Sequence, residues 1–153
     1  MPRPSLLLMP VLLAACTMGP APEPAPAPAP SMNAAPAAAR FPVGTYTITI
    51  AEGDFPPGAP SDMRAGMVGL WSIEFTANGH VLATYGGRQV ADVPYTVIGD
   101  ELSFAPDSGE YACNSGGRYR WHATATELHL TKAEDSCEGR VIALTAHALV
   151  RRP

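Results

Sequence analysis

Apolar and polar residues alternate with a period of two along most of the chain after residue 43. The alternation is clearest in two neighbouring segments, 118–123 and 127–131. Their large apolar positions are Tyr119, Trp121, Leu128 and Leu130. Because successive side chains of a strand point to opposite faces, the pattern predicts two strands with one buried and one solvated face. A turn over residues 123–126 makes them a hairpin with Trp121 opposite Leu128.

The same alternation predicts six further strands. They lie at residues 44–51, 68–76, 80–85, 88–98 and 140–150, with a short strand that carries Leu102 and Phe104. A two-residue turn at Gly99 sets Tyr95 opposite Phe104. The alternation changes parity between Val90 and Tyr95, which predicts a bulge at residues 92–94.

The turn between the second and third strands admits two registers. A two-residue turn would set Phe75 opposite Leu82. A three-residue loop with Gly79 in the left-handed conformation sets Phe75 opposite Val81. The second arrangement pairs apolar with apolar residues along the whole hairpin, so we expect that one.

The order of the strands predicts the fold class. Residues 52–66 carry three prolines, three glycines and three acids, which indicates a long loop. No segment has helical periodicity, and most of the other connections are short. An antiparallel meander of this size buries its apolar face best by closing on itself, which removes the strand edges. We therefore predict an all-β domain over residues 41–153, an eight-stranded antiparallel up-and-down barrel.

The N-terminus has the features of a targeting segment. Arg3 precedes a short apolar run, residues 6–15, which is too short to span a membrane and predicts a signal peptide over residues 1–15. The run ends in Leu-Ala-Ala-Cys, which resembles the lipobox of bacterial lipoproteins. The resemblance implies that Cys16 becomes the lipidated first residue. By the same resemblance, Thr17 at the next position implies sorting to the outer membrane, facing the periplasm.

The composition of residues 16–40 predicts a disordered tether. Eleven of the 17 prolines lie in the first 42 residues, and residues 21–30 are almost strictly alternating alanine and proline. Proline fixes φ and removes a hydrogen-bond donor, so this segment favours polyproline II over helix or sheet.

Short motifs in the predicted barrel resemble those of lipocalin-like (calycin) proteins. They are Gly44-Thr45-Tyr46, Gly69-Leu70-Trp71 and Arg151, together with residues 117–121 and 135–140. The resemblance implies a barrel that holds a small apolar ligand in its mouth. The large inward-facing rings are the candidate ligand-binding residues: Tyr46, Trp71, Phe75, Tyr95, Phe104 and Tyr119. Trp121 shares their face, and we assign it to core packing.

An exported chain with three cysteines cannot pair all of them in disulfides of its own. Lipidation of Cys16 accounts for the unpaired cysteine. Cys113 and Cys137 then predict a disulfide, because disulfides persist outside the cytoplasm. The alternative is a metal site, but two cysteines without a nearby histidine pair make a poor one. In the loop that holds Cys137, we expect Asp135 to form a salt bridge with Arg140.

Neither a metal site nor a catalytic centre is predicted. His122 and His129 should lie near each other on the outward face of their hairpin, where a solvated cluster is the simpler interpretation. No serine, histidine or glycine pattern matches a nucleophile or a phosphate loop. We therefore expect no cofactor and no enzymatic activity. The formal net charge of −4 without a basic stripe argues against nucleic acid as a partner.

Two functions are the main candidates, and a passive structural lipoprotein is a third possibility. The first is a monomeric, membrane-anchored periplasmic lipoprotein whose barrel binds a small hydrophobic ligand. The alternative is an envelope protein-binding module, such as a lysozyme or protease inhibitor, that acts through loops while its barrel is filled. The acidic segment 52–62 is the candidate contact for a basic enzyme. An interior cavity favours the first function, and a filled barrel with a protruding loop favours the second.

Overall fold

The computed structural model describes residues 40–107, 111 and 113–153. The predicted signal peptide, the lipidated Cys16 and nearly all of the tether lie outside this part of the chain. The strands are β1 Gly44–Ile50, β2 Gly69–Phe75, β3 His80–Tyr85, β4 Arg88–Ile98, β5 Glu101–Phe104, β6 Gly117–Ala123, β7 Glu127–Asp135 and β8 Leu149–Arg151. Each strand pairs antiparallel with the next, and β8 pairs with β1 to close the barrel. The predicted fold class is confirmed.

Two short helices interrupt the meander, contrary to the expectation of none. Helix α1, Ser61–Met67, lies in the β1–β2 connection after a 3₁₀ turn at Glu52–Asp54, and helix α2, Glu138–Thr145, lies between β7 and β8. The prediction of a long loop at 52–66 is therefore wrong. That segment folds against the barrel because Phe55 and Met67 bury their side chains in the core. Within the described residues, no helix is long and apolar enough to cross a membrane.

The predicted last strand at 140–150 is also wrong. Most of it is α2, and only Leu149–Arg151 is extended. Helix α2 contacts β7, β1 and α1, and its two buried residues, Ile142 and Leu144, are two positions apart, which is also the spacing of a strand. The inward residue of β8 is Leu149, which is fully buried, whereas Val150 faces solvent.

Several predicted registers are confirmed. Phe75 pairs with Val81, and Gly79 has φ +82° in the intervening loop. Tyr95 pairs with Phe104 across the β4–β5 turn. Glycine is favoured at position 79 because an L-residue rarely adopts that φ.

The hairpin of β6 and β7 has a different register from the predicted one. Trp121 pairs with Leu130 instead of Leu128, and the turn is tightened by a 2.9 Å hydrogen bond from Thr124 N–H to the Glu127 carbonyl. A shift of two residues leaves each side chain on its original face, so Trp121, Leu128 and Leu130 are still buried.

The bulge in β4 lies earlier than predicted. Ala83 pairs with Ala91 and Thr84 with Gln89, so the extra residue is Val90 and not one of residues 92–94. Asp92 stays in the ladder opposite Leu82, and its carboxylate lies 2.7 Å from Nδ1 of the neighbouring His80.

One end of the barrel is filled by aromatic rings. Phe41, which precedes β1, packs against Phe75, Trp121 and Tyr95 with ring centroids 5.1, 5.2 and 5.7 Å away. Arg151 lies over the ring of Tyr46 and donates a 3.0 Å hydrogen bond to the Val43 carbonyl. We call this the closed end. It contains the turns β2–β3, β4–β5 and β6–β7.

At the opposite end, the two long connections before β6 and after β7 are joined covalently. Cys113 and Cys137 form the predicted disulfide. It links the β5–β6 connection to the residue that precedes α2. We call this the helix end, because α1 and α2 both lie there.

A buried ion pair also organises the helix end. Arg140 donates to both carboxylate oxygens of Asp135, from Nε at 2.6 Å and from Nη2 at 2.9 Å, as the predicted salt bridge requires. Tyr119 donates its hydroxyl to the same carboxylate, and the Cys137 N–H does so at 2.7 Å. Nη2 of Arg140 also donates to the Ser115 carbonyl at 2.9 Å. The Asp135 side chain is 0% exposed and that of Arg140 is 9% exposed.

Burial by itself would raise the pKa of Asp135. The hydrogen bonds from Arg140, Tyr119 and Cys137 outweigh that effect and hold the pKa below the usual aspartate value. A carboxylate whose pKa is lowered by folding stabilises the native state above its unfolded pKa of about 3.9. That contribution is lost as the pH falls through this value towards the lower folded pKa.

Asp135→Asn should lower the free energy of unfolding at pH 7 by about 3–5 kcal/mol, because it leaves Arg140 buried without a counter-charge. The variant should also lose less stability than the wild type between pH 5 and pH 2. Denaturant titrations followed by tryptophan fluorescence at several pH values measure both effects.

The control is Glu74→Gln, an acid-to-amide change at an exposed strand position, which should leave stability at neutral pH nearly unchanged. Wild-type stability of Asp135→Asn at pH 7 would contradict the role assigned to the ion pair.

Candidate functional site

The barrel interior has a cavity of about 130 Å³ at the helix end. Its walls come from β2, β3 and β4 and from Phe104 of β5, and α2 covers it. Most of the lining side chains are apolar, among them Trp71, Ile73, Val81, Val93, Phe104 and Leu144. The cavity therefore offers apolar contacts on nearly every side.

The edge of the cavity is formed by the β5–β6 connection and the disulfide. Asp107, Tyr111, Cys113 and Cys137 all line it there. Tyr111 is 39% exposed, so this edge lies at the protein surface. The disulfide holds the edge against the start of α2.

Of the six predicted ligand-binding residues, the structure brings two to the cavity, Trp71 and Phe104. The indole of Trp71 stacks on Tyr85 with centroids 4.7 Å apart, and its N–H donates a 2.7 Å hydrogen bond to the Met67 carbonyl. The ring of Phe104 meets Tyr119 edge-on. These contacts hold both rings in fixed positions in the cavity wall.

The other four predicted residues are core and do not line the cavity: Tyr46, Phe75, Tyr95 and Tyr119. Their hydroxyl groups, where present, already have partners. Tyr46 donates to the Pro42 carbonyl at 2.6 Å and Tyr95 to the Thr76 carbonyl at 2.8 Å. Burial raises the pKa of both phenols. Fewer of the inward-facing rings therefore line the candidate site than the sequence predicted.

Several lining residues were not predicted. Met67 ends α1, and Gly139, Ala143 and Leu144 belong to α2. The residues of α2 were missed because that helix was interpreted as a strand, and Met67 was missed because the segment before it was interpreted as a loop. A Cβ at Gly139 would lie 3.4 Å from the Met67 sulfur, so the two helices approach closely above the cavity.

Arg140 is the cationic residue of the cavity wall. Its guanidinium lies 5.8 Å from the centroid of Phe104, which also lines the cavity. Burial by itself would lower the pKa of Arg140, but the hydrogen bonds and charge of Asp135 outweigh it, so the net shift is upward. Nη1 is buried and has no hydrogen-bond partner in the part of the chain that the structure describes.

The histidine pair is a surface feature, as expected. His122 and His129 pair directly across β6 and β7, and their rings stack 4.5 Å apart. Nε2 of His129 lies 3.0 Å from a Glu127 oxygen. Among the described residues, no group of three or more histidine, cysteine, aspartate or glutamate side chains could hold a metal ion.

Comparison with known proteins does not assign a family. No family model matches the chain, and no solved structure matches it. Titin of Drosophila melanogaster is 37% identical over 93 residues, which is 57% of this chain and, to the nearest per cent, 0% of titin. The chain therefore spans a negligible share of that relative's length. The arguments about function rest on the barrel and its cavity.

Proposed function

We propose that this protein is a lipid-anchored envelope protein whose barrel binds a small hydrophobic ligand. The observation that carries the proposal is the apolar cavity at the helix end. The closed end is filled by Phe41 and its neighbouring rings, so the ligand-sized space within the described barrel lies beside α2. Small-molecule sites are usually concave and mostly apolar, as this cavity is, but most of them are larger.

The volume limits the ligand. A cavity of about 150 Å³ lined by apolar side chains is known to take up benzene. The cavity here is about 130 Å³. We therefore expect a ligand with one ring, or a comparable branched apolar group, inside the barrel. A larger molecule could place only one end there and would extend past Tyr111.

The anchor and the location are supported by the sequence pattern alone. Leu13-Ala14-Ala15-Cys16 has the form of a lipobox, and an alanine- and proline-rich segment separates it from the barrel. On this proposal, the protein is held at the outer membrane and faces the periplasm, where the Cys113–Cys137 disulfide is compatible with the redox environment.

The alternative, an inhibitor that acts through a loop, has less support. Its candidate contact, residues 52–62, lies against the barrel through the buried Phe55. Arg64 further ties this segment together by donating hydrogen bonds to the carbonyls of Ala59 and Pro56 at 3.3 and 3.2 Å. No described contact favours a protein partner there, and we do not develop that function further.

The anchor is tested by metabolic labelling with a radioactive fatty acid in a bacterial host. The wild-type chain should incorporate the label and resist extraction from membranes at alkaline pH. Cys16→Ser should incorporate none. The matched control is Cys113→Ser, which removes a different cysteine and should still be labelled. Label retained in Cys16→Ser would refute the anchor assignment.

The two tryptophans of the chain test the cavity, because they lie at opposite ends of the barrel. Trp121→Phe leaves Trp71, which lines the cavity, and Trp71→Phe leaves Trp121, which packs against Phe41. Bromobenzene is a suitable probe, because a heavy atom quenches indole fluorescence at contact. It should quench Trp71 with a saturable dependence and leave Trp121 nearly unaffected at the same concentrations.

This measurement is best made on the chain from Thr17 onward, which keeps the linker and the whole barrel, because lipid would absorb an apolar probe. Circular dichroism checks that both variants are folded. Absence of saturable quenching in folded Trp121→Phe, or equal quenching of both tryptophans, would argue against the proposed cavity site.

A further inference from the structure

We infer that Gly139 limits the size of the ligand, because the space left by its missing side chain is part of the cavity site. This inference rests on the proposed function and names the residue of the same cavity that selects among ligands. The ligand class is an apolar molecule no larger than a single ring with a short alkyl group.

The first step is the position of Gly139 on α2. The helix has two sets of residues that face different spaces. The set that lines the cavity is Gly139, Arg140, Ala143 and Leu144. The set that lines a separate groove, beside Phe55 and Lys132, is Glu138, Val141, Ile142 and Thr145. Gly139 therefore lies on the side of α2 that covers the cavity.

The second step is the space beside Gly139. Apart from its own helix and its chain neighbours, a Cβ at this position would meet only Met67 within 4 Å in the described part of the chain. The distances would be 3.4 Å to Sδ and 3.9 Å to Cε, which are ordinary contacts. Met67 is buried and lines the cavity itself. The space beside Gly139 therefore has room for a methyl group and is bounded by the cavity wall.

The third step is that the fold does not require glycine at position 139. The residue lies in the first turn of α2 and, unlike Gly79, it does not have a positive φ. A Cβ at Gly117 would lie 2.3 Å from the Asp135 carboxylate, whereas one at Gly139 would displace nothing. Glycine loses more backbone entropy on folding than alanine does. Alanine would therefore suit the fold better, and a ligand that uses the space explains the glycine.

Gly139→Ala separates the two effects of the residue. The melting temperature should rise by about 2–5 °C, because alanine restricts the unfolded chain and fits the native conformation. The affinity for ethylbenzene relative to that for benzene should fall about tenfold, as expected when a pocket loses the room for one carbon. Both ligands are measured by displacement of bromobenzene from Trp121→Phe in the chain from Thr17 onward. The ratio of their affinities removes the general effect of the added methyl group on binding.

The matched control is Gly66→Ala in α1. Gly66 is also helical without a positive φ, a Cβ there would meet nothing within 4 Å, and it does not line the cavity. This variant should raise the melting temperature by a similar amount and leave the affinity ratio unchanged. It therefore distinguishes loss of cavity space from the stabilisation of a helix.

Each outcome bears on the inference. An unchanged affinity ratio in folded Gly139→Ala, or an equal fall of the ratio in Gly66→Ala, would overturn the role of Gly139. A lower melting temperature of Gly139→Ala would also overturn it, because the fold itself would then require glycine. These results would leave the proposed function standing. Failure of bromobenzene, benzene and ethylbenzene to bind to Trp121→Phe with Gly139 intact would overturn the proposed function and this inference together.

Discussion

The ion pair between Asp135 and Arg140 is the interaction on which the helix end depends. Asp135 is the last residue of β7 and Arg140 lies in the first turn of α2, so the pair sets where the helix starts relative to the strand. Tyr119 of β6 and the Ser115 carbonyl join the same network. A Cβ at residue 117 would lie 2.3 Å from the Asp135 carboxylate, so the network also requires the glycine that begins β6.

The two ends of the barrel are stabilised by different physics, and this difference produces the candidate site. At the closed end, Phe41 and three further rings exclude space by close packing. At the helix end, directional hydrogen bonds and a disulfide hold the connections in place, and these do not require the interior beneath them to be filled. A cavity can persist there without loss of the fold.

The sequence was sufficient to predict the first seven strands, their faces and the loop at Gly79, because a period of two depends only on which residues face inward. It was insufficient for α2, because the two buried residues of that helix, Ile142 and Leu144, are two positions apart and fit a strand equally well. It was also insufficient to separate Trp71 and Phe104, which line the cavity, from Tyr46 and Phe75, which do not. Alternation identifies which residues of a strand face the interior. It does not identify where along the barrel axis the packed core ends and the cavity begins.

Arg140 has more hydrogen-bond donors than the ion pair with Asp135 requires. A buried ion pair is weak evidence for stability, because apolar residues of similar volume often serve as well. Two donors towards Asp135 would be enough, and the third nitrogen of arginine adds a buried donor without a partner in the described chain. Arg140 also lies in the wall of the mostly apolar cavity. The pair is therefore better explained by the position that it gives to the start of α2 than by the net stability that it adds.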